Sequence, residues 1–408
     1  MASPTPPSSA SERQGTQTGA ADSCPVIPAG QTMPNGFDPA PLFTPAQDHR
    51  GAMVEGAQLL LDAPDDGPSA HVEPIPMTDL VMVGWEVGGG PGQSATTTAA
   101  IIGHLDRATG KFTRQLAVAN CALSDGVVDH ELLVTTAWGR GEAHVVAFDL
   151  AAGAAKWRFA AGADLVTWRV RSDGHVLIVS RRRATGPGET WALTLLDAAT
   201  GAVTNTAEVH TDGATIAVPS DNGELYVTVM QPPTDTAGPS VSTVRLVHPD
   251  GQLGSPLTLP GFDRSGEPAR DDPAAVITKG SIYYLDSNSM LKVQRLDTGG
   301  VVASLPVGIS DPSHRYGHRL SLGPTALWIS GMGATGAAFV VVQVDPQTLT
   351  VRATREYAPY FGGTRVQHPV WMPFTFGQGG PAFHQCRVAT QDARTCKPSL
   401  FLETPSSP

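Results

Sequence analysis

The chain of 408 residues holds 44 Gly and 35 Pro, only 16% charged residues and a formal net charge of −11. With 41% apolar residues this composition fits many short strands joined by turns and excludes a largely disordered chain. The negative charge excludes nonspecific attraction to nucleic acid or anionic membrane, and no apolar run approaches the roughly 18 residues of a membrane span.

Residues 1–22 are rich in Ser, Thr, Pro, Gln, Gly and Ala, a composition that cannot offset its ordering entropy. A disordered stalk is expected there. Met1 is followed by neither the basic region nor the apolar run of a signal peptide, so the segment reads as the stalk after a membrane anchor or a cleaved leader. Residues 23–56 read as an extension packed on the main domain, 57–403 as that domain and 404–408 as a tail. Cys24, Cys121, Cys386 and Cys396 form no CxxC pair and no zinc pattern, so no metal is expected. Cys386 and Cys396 bracket a hairpin-like interval, where a disulfide would clamp adjacent strands, and Cys24 could then pin the N-terminal segment to Cys121. Two disulfides imply an oxidising, extracytoplasmic compartment; four buried free thiols are the alternative.

From residue 58 onward, short apolar and β-branched runs dominate. The run 58–62 comes first, followed by 80–85, 131–136, 175–180, 224–229, 281–285 and 325–330. All are too short for helices. Turn residues at 172–174 and 221–223 precede two of them, as hairpins require. A second signal is interleaved: an apolar strand ending in Asp, a tight turn usually holding Gly, then another strand. Its copies lie at 105–110, 147–157, 196–201 and 296–299, with looser ones at 247–251 and 344–348, roughly 43 to 53 residues apart. Each unit therefore holds four antiparallel strands in about 47 residues, one blade of a β-propeller. Six units fit between residues 72 and 360. An incomplete seventh has strands near 381–388 and 398–403, and the run 58–62 has the right length to supply its last strand. The expected fold is all-β: a seven-bladed propeller closed by an N-terminal strand, which removes an exposed edge. Eight blades are the alternative, if 25–56 hides further strands.

The copy with Ala147, Asp149, Gly153 and Trp157 resembles the PQQ-like repeat of quinoprotein dehydrogenases and of noncatalytic propellers such as bacterial outer-membrane assembly lipoproteins. In physical terms the motif is structural. Asp accepts backbone hydrogen bonds within its own turn, Gly takes a positive φ and Trp packs between blades. The resemblance first implies quinone dehydrogenation. Many such enzymes use a disulfide of adjacent cysteines and an acidic calcium cluster, and the chain has neither, so no PQQ and no other cofactor is expected.

Other motifs resolve as structure. Gly331, Gly333 and Gly336 match GxGxxG, but a strand at 339–342 leaves no room for the helix of a dinucleotide site. Arg181, Arg182 and Arg183 read as a solvated loop base, with an anionic-ligand site as the alternative. HExxH and GxSxG are absent from the chain.

Three blade-to-blade connections are long, at about 260–274, 308–319 and 357–370. The last two supply the candidate binding residues His314, Arg315, Tyr316, His318, Arg319, Tyr360, Arg365 and His368, of types that suit a recognition surface over a channel mouth. The expectation is a noncatalytic, monomeric propeller binding a protein or glycan partner through this loop-rich face. The rival is a hydrolase or lyase acting on a polar small molecule or glycan in the central channel.

Overall fold

The computed structural model describes residues 24–33, 43–48, 57–62, 69–75, 78–87, 96–106, 109–139, 142–182, 188–231, 241–262, 275–309, 319–322, 326–332, 339–357, 360–361, 364–365, 372–375, 381–388 and 396–403. Among them there is no helix. Two strands, β1 (Phe43–Asp48) and β2 (Ala57–Asp62), precede the first complete sheet.

That sheet is β3 (Ser69–Pro74), β4 (Leu80–Val87), β5 (Thr96–Asp106) and β6 (Lys111–Ala119). The second is β7 (Ala122–Asp129), β8 (Leu132–Gly139), β9 (Glu142–Asp149) and β10 (Ala154–Ala160). The third is β11 (Leu165–Val170), β12 (His175–Arg182), β13 (Glu189–Asp197) and β14 (Val203–Thr211). The fourth is β15 (Ala214–Val218), β16 (Leu225–Gln231), β17 (Val241–Val247) and β18 (Leu257–Thr258). The fifth is β19 (Ala275–Thr278), β20 (Ser281–Leu285), β21 (Met290–Arg295) and β22 (Val301–Pro306). The sixth is β23 (Arg319–Leu322), β24 (Leu327–Met332), β25 (Phe339–Asp345) and β26 (Thr350–Tyr357).

A small hairpin of β27 (Tyr360–Phe361) and β28 (Thr364–Arg365) follows, then β29 (Met372–Thr375), β30 (Pro381–Val388) and β31 (Cys396–Glu403). These last three form a sheet with the N-terminal strands in the order β1-β2-β31-β30-β29, so β2 is the fourth strand of a sheet begun at the C-terminal end. The segment 43–48 does not start another repeat. It is a fifth strand on the edge of this sheet. All strand pairs are antiparallel. Gly331 lies in β24 and β25 begins at Phe339; Gly333 and Gly336 lie outside the described residues.

Packing explains the residue pattern. Consecutive sheets share one apolar layer at each boundary: first with second around Met82 and Phe148, second with third around Trp157 and Trp168, third with fourth around Trp191 and Leu225. The fourth and fifth meet around Phe262 and Tyr284, the fifth and sixth around Leu291 and Ile329. β29 lies beside β23 and β24, and β31 lies beside β3. The middle strands are covered on both faces, so β12 keeps Val176, Leu177, Ile178 and Val179 all buried. Outer strands touch one neighbour less, and β14 and β22 are mostly exposed.

The Asp turns sit between the third and fourth strands of the first six sheets, with Leu349 (φ 55°) in the sixth where the others have Gly. Asp197 accepts the Thr200 N–H at 2.8 Å and the Thr200 hydroxyl at 2.7 Å, and Gly201 closes the turn onto the Asp197 carbonyl at 2.8 Å. Trp157 of β10 then docks on the next sheet's turn. Its Nε1 donates to the Ala198 carbonyl at 2.7 Å, and its ring lies where a Cβ on Gly201 (φ 70°) would approach to 2.6 Å. Only glycine satisfies both the backbone and the ring here. The buried indole carries most of the gain, since one neutral hydrogen bond adds only about 1 kcal/mol.

Candidate recognition face

Strand direction defines two faces. On the turn face lie the connections between first and second strands and the Asp-Gly turns. On the other lie the connections between second and third strands and those from one sheet to the next. The sheet-to-sheet connections on this second face differ widely in length. Asn120 and Cys121 alone join β6 to β7, and Asp212 and Gly213 alone join β14 to β15, whereas 259–274, 307–318 and 358–371 lie between the last four sheets.

Five of the eight sequence-predicted site residues, His314, Arg315, Tyr316, His318 and His368, lie outside the described residues. Arg319 opens β23, opposite Ser330 of β24. Tyr360 and Arg365 are brought together as direct cross-strand partners in the β27–β28 hairpin, where the sequence suggested only irregular loop. Of the cysteines, Cys24 and Cys121 are joined by a disulfide. Cys386 and Cys396 occupy the paired strands β30 and β31, opposite Pro398 and Val388 respectively; their side chains lie outside the described residues.

Sequence reasoning missed a polar set on the innermost strands of the first three sheets. β7 carries a bulge, with Asp125 and Gly126 facing Thr135 alone, and Asp125 adopts φ 57°. The Asp125 N–H donates to Glu73 Oε1 on β3 at 2.7 Å. Ser124 Oγ donates to Asp125 Oδ2 at 3.3 Å and accepts from Trp138 Nε1 at 3.1 Å. The fully buried Thr135 donates to the Ser124 carbonyl at 2.8 Å. In the third sheet Trp168 Nε1 donates to Thr136 Oγ1 at 2.7 Å, and Arg169 Nη1 donates to Thr167 Oγ1 at 2.7 Å. Two carboxylates, hydroxyls and a guanidinium on the inner strands offer hydrogen bonds to a polar group. Among the described residues no group of three His, Cys, Asp or Glu could hold a metal ion.

Charge on the turn face is differently organised. The Arg295 guanidinium, bonded to Asp297, holds that carboxyl down at about 2. Thr200 lowers Asp197, and the Thr348 N–H followed by Arg352 lowers Asp345. Toward the other face Arg181 and Arg182 end β12, with Arg181 3.7 Å from Glu189 and Arg182 3.2 Å from Glu208 in solvent-accessible pairs, while Arg183 lies outside the described residues.

No protein-family profile matches the chain, and no curated protein does. Among solved structures it is similar to an acylaminoacyl peptidase in complex with Z-Gly-Gly-Phe-chloromethyl ketone. That match has 10% identity and a TM-score of 0.50, over 78% of this chain and 50% of that one. The fold is a β-propeller. The β-propeller domain of the Trilobed protease from Pyrococcus furiosus aligns at 10% identity over 81% of this chain and 93% of that chain, with a TM-score of 0.48. Apo AztD from Citrobacter koseri aligns at 11% identity over 74% and 91%, with a TM-score of 0.39. At these identities the likeness shows the fold alone. In a propeller the first strand of each blade lines the central channel, which places Glu73, Ser124, Asp125 and Arg169 on channel-lining strands.

Proposed function

We propose that this chain is a noncatalytic extracytoplasmic propeller that binds a protein or glycan partner through its loop-rich face. In this reading the seven sheets are seven blades, and β2 closes the ring by completing the last. The chain is a divergent relative of PQQ-like repeat propellers, for which the docking of Trp157 on Gly201 is the support. The observation that carries the functional reading is the contrast between faces. Carboxylates of the turn copies are bound to main-chain N–H groups of their own turns, whereas the opposite face holds long connections after β18, β22 and β26. The Cys24–Cys121 disulfide supports an oxidising compartment, and among the described residues no helix is long and apolar enough to cross a membrane.

A glycan array, combined with photocrosslinking in the producing cells, tests the proposal. A photoreactive residue in place of Arg365 is expected to capture a defined partner, or Tyr360→Ala and Arg365→Ala to abolish a defined glycan signal. The same residue in place of Lys279, on the turn face, is expected to capture nothing. Adducts confined to the turn face overturn the proposal. So does hydrolysis or elimination of a small substrate that is lost in His314→Ala or His318→Ala.

A further inference from the structure

The N-terminal segment is laid on the propeller in one direction. The Ala119 N–H donates to the Pro25 carbonyl at 3.0 Å, Val26 bridges Val118, and the Ile27 N–H donates to the Ala117 carbonyl at 2.8 Å. Arg114, four residues into β6, holds the carbonyls of Ile27, Pro28 and Gln31 at 2.8, 3.2 and 3.0 Å. β6 runs from the turn face to the loop-rich face, so this strap runs the opposite way and begins at the loop-rich face. Its first described residue, Cys24, is bonded to Cys121 in the two-residue connection between β6 and β7, and both sulfur-bearing residues are buried. An edge segment with so few main-chain bonds would fray by itself; the disulfide prevents that at its first residue. The other end of the described chain is placed oppositely. β31 is the third strand of its sheet and runs, as β5 and β9 do, toward the turn face, where it ends at Glu403.

We propose that the strap sets the orientation of the propeller. The loop-rich face is turned toward whatever surface the N-terminal segment is attached to, and the turn face points away from it. The recognition face then takes a partner displayed on that same surface, not one approaching from free solution. The existence of a partner and of a surface that displays it rests on the function proposed above; the direction of the strap does not. The nine residues of β6 span about 30 Å from one face to the other, so the turn face is held that much farther than the loop-rich face from the point where the strap enters.

The test uses the full chain with a hexahistidine tag at its N-terminus, bound to phosphatidylcholine vesicles containing nickel-chelating lipid and an acceptor dye on lipid headgroups. A fluorescent amino acid replaces Asp212 on the loop-rich face or Ala199 on the turn face, both exposed. Energy transfer is expected to be at least twofold greater from position 212. Moving the tag to the C-terminus is expected to reverse the order, and Cys24→Ser with Cys121→Ser is expected to erase it. Equal transfer from the two positions with the N-terminal tag overturns the proposal, as does greater transfer from 199 or a difference that survives loss of the disulfide. The reversed-tag arm keeps the test decisive if the double serine variant does not fold. Failure to capture any partner from position 365 would sink the functional reading and leave this result standing.

Discussion

On the turn face, Asp106, Asp149, Asp197 and Asp345 each commit a carboxylate oxygen to an N–H two or three residues on, at 2.7 to 3.2 Å. Among the described residues of the loop-rich face nothing so repetitive holds the connections, and the β6–β7 link is clamped covalently at Cys121. The difference teaches that the two faces answer to different constraints. One repeats in the first six sheets because the turn from third to fourth strand demands it, and the other varies because sheet packing leaves its length free.

Changes at the blade junction on the turn face should have the largest effect. Trp157→Ala removes the buried indole and its bond to Ala198, and should lower unfolding free energy by about 3–5 kcal/mol in urea denaturation. A loss under about 1 kcal/mol would mean that the motif is ornamental. On the other face, Cys24→Ser with Cys121→Ser opens a cross-link spanning 97 residues and should cost about 2–5 kcal/mol by the same measurement. Gly201→Ala should cost about 1–3 kcal/mol, because the new Cβ meets both a left-handed backbone and the Trp157 ring.

Much of this contrast is legible in the chain, and where it is not the reason is physical. The Asp-turn copies can be read because a short side chain that accepts from its own turn leaves few alternatives to Asp. The tripeptide Ser-Asp-Gly shows the limit. At 172–174 it makes the hairpin turn its composition suggests, with Gly174 at φ 81°. At 124–126 the same three residues form a bulge inside β7, with Asp125 itself at φ 57°. The local chemistry permits both; neighbouring strands decide, through Thr135 and Trp138 of β8 and Glu73 of β3. Tyr360 and Arg365 are similarly visible as residue types and invisible as cross-strand partners, because the two-residue strands carrying them are too short for any periodicity.

Acid should separate the faces more gently. Asp197, Asp297 and Asp345 are stronger acids folded than unfolded, so their contribution is complete above about pH 4. It is lost as pH falls through their folded values, about 2 for Asp297. The urea midpoint should therefore decline from pH 5 toward pH 2, and Asp197→Asn with Asp297→Asn should flatten that decline. An unchanged slope would show that these turn carboxylates are not coupled to folding.

The division of labour between the faces is tested most directly by measuring urea stability and partner binding together on two paired variants, Trp157→Ala with Gly201→Ala and Tyr360→Ala with Arg365→Ala. The first pair should lose several kcal/mol of stability, and its molecules that remain folded should bind the partner with unchanged affinity. The second should stay within about 0.5 kcal/mol of the parent and lose binding at least tenfold. A second pair that unfolds easily while binding normally would contradict the assignment of scaffold to one face and recognition to the other.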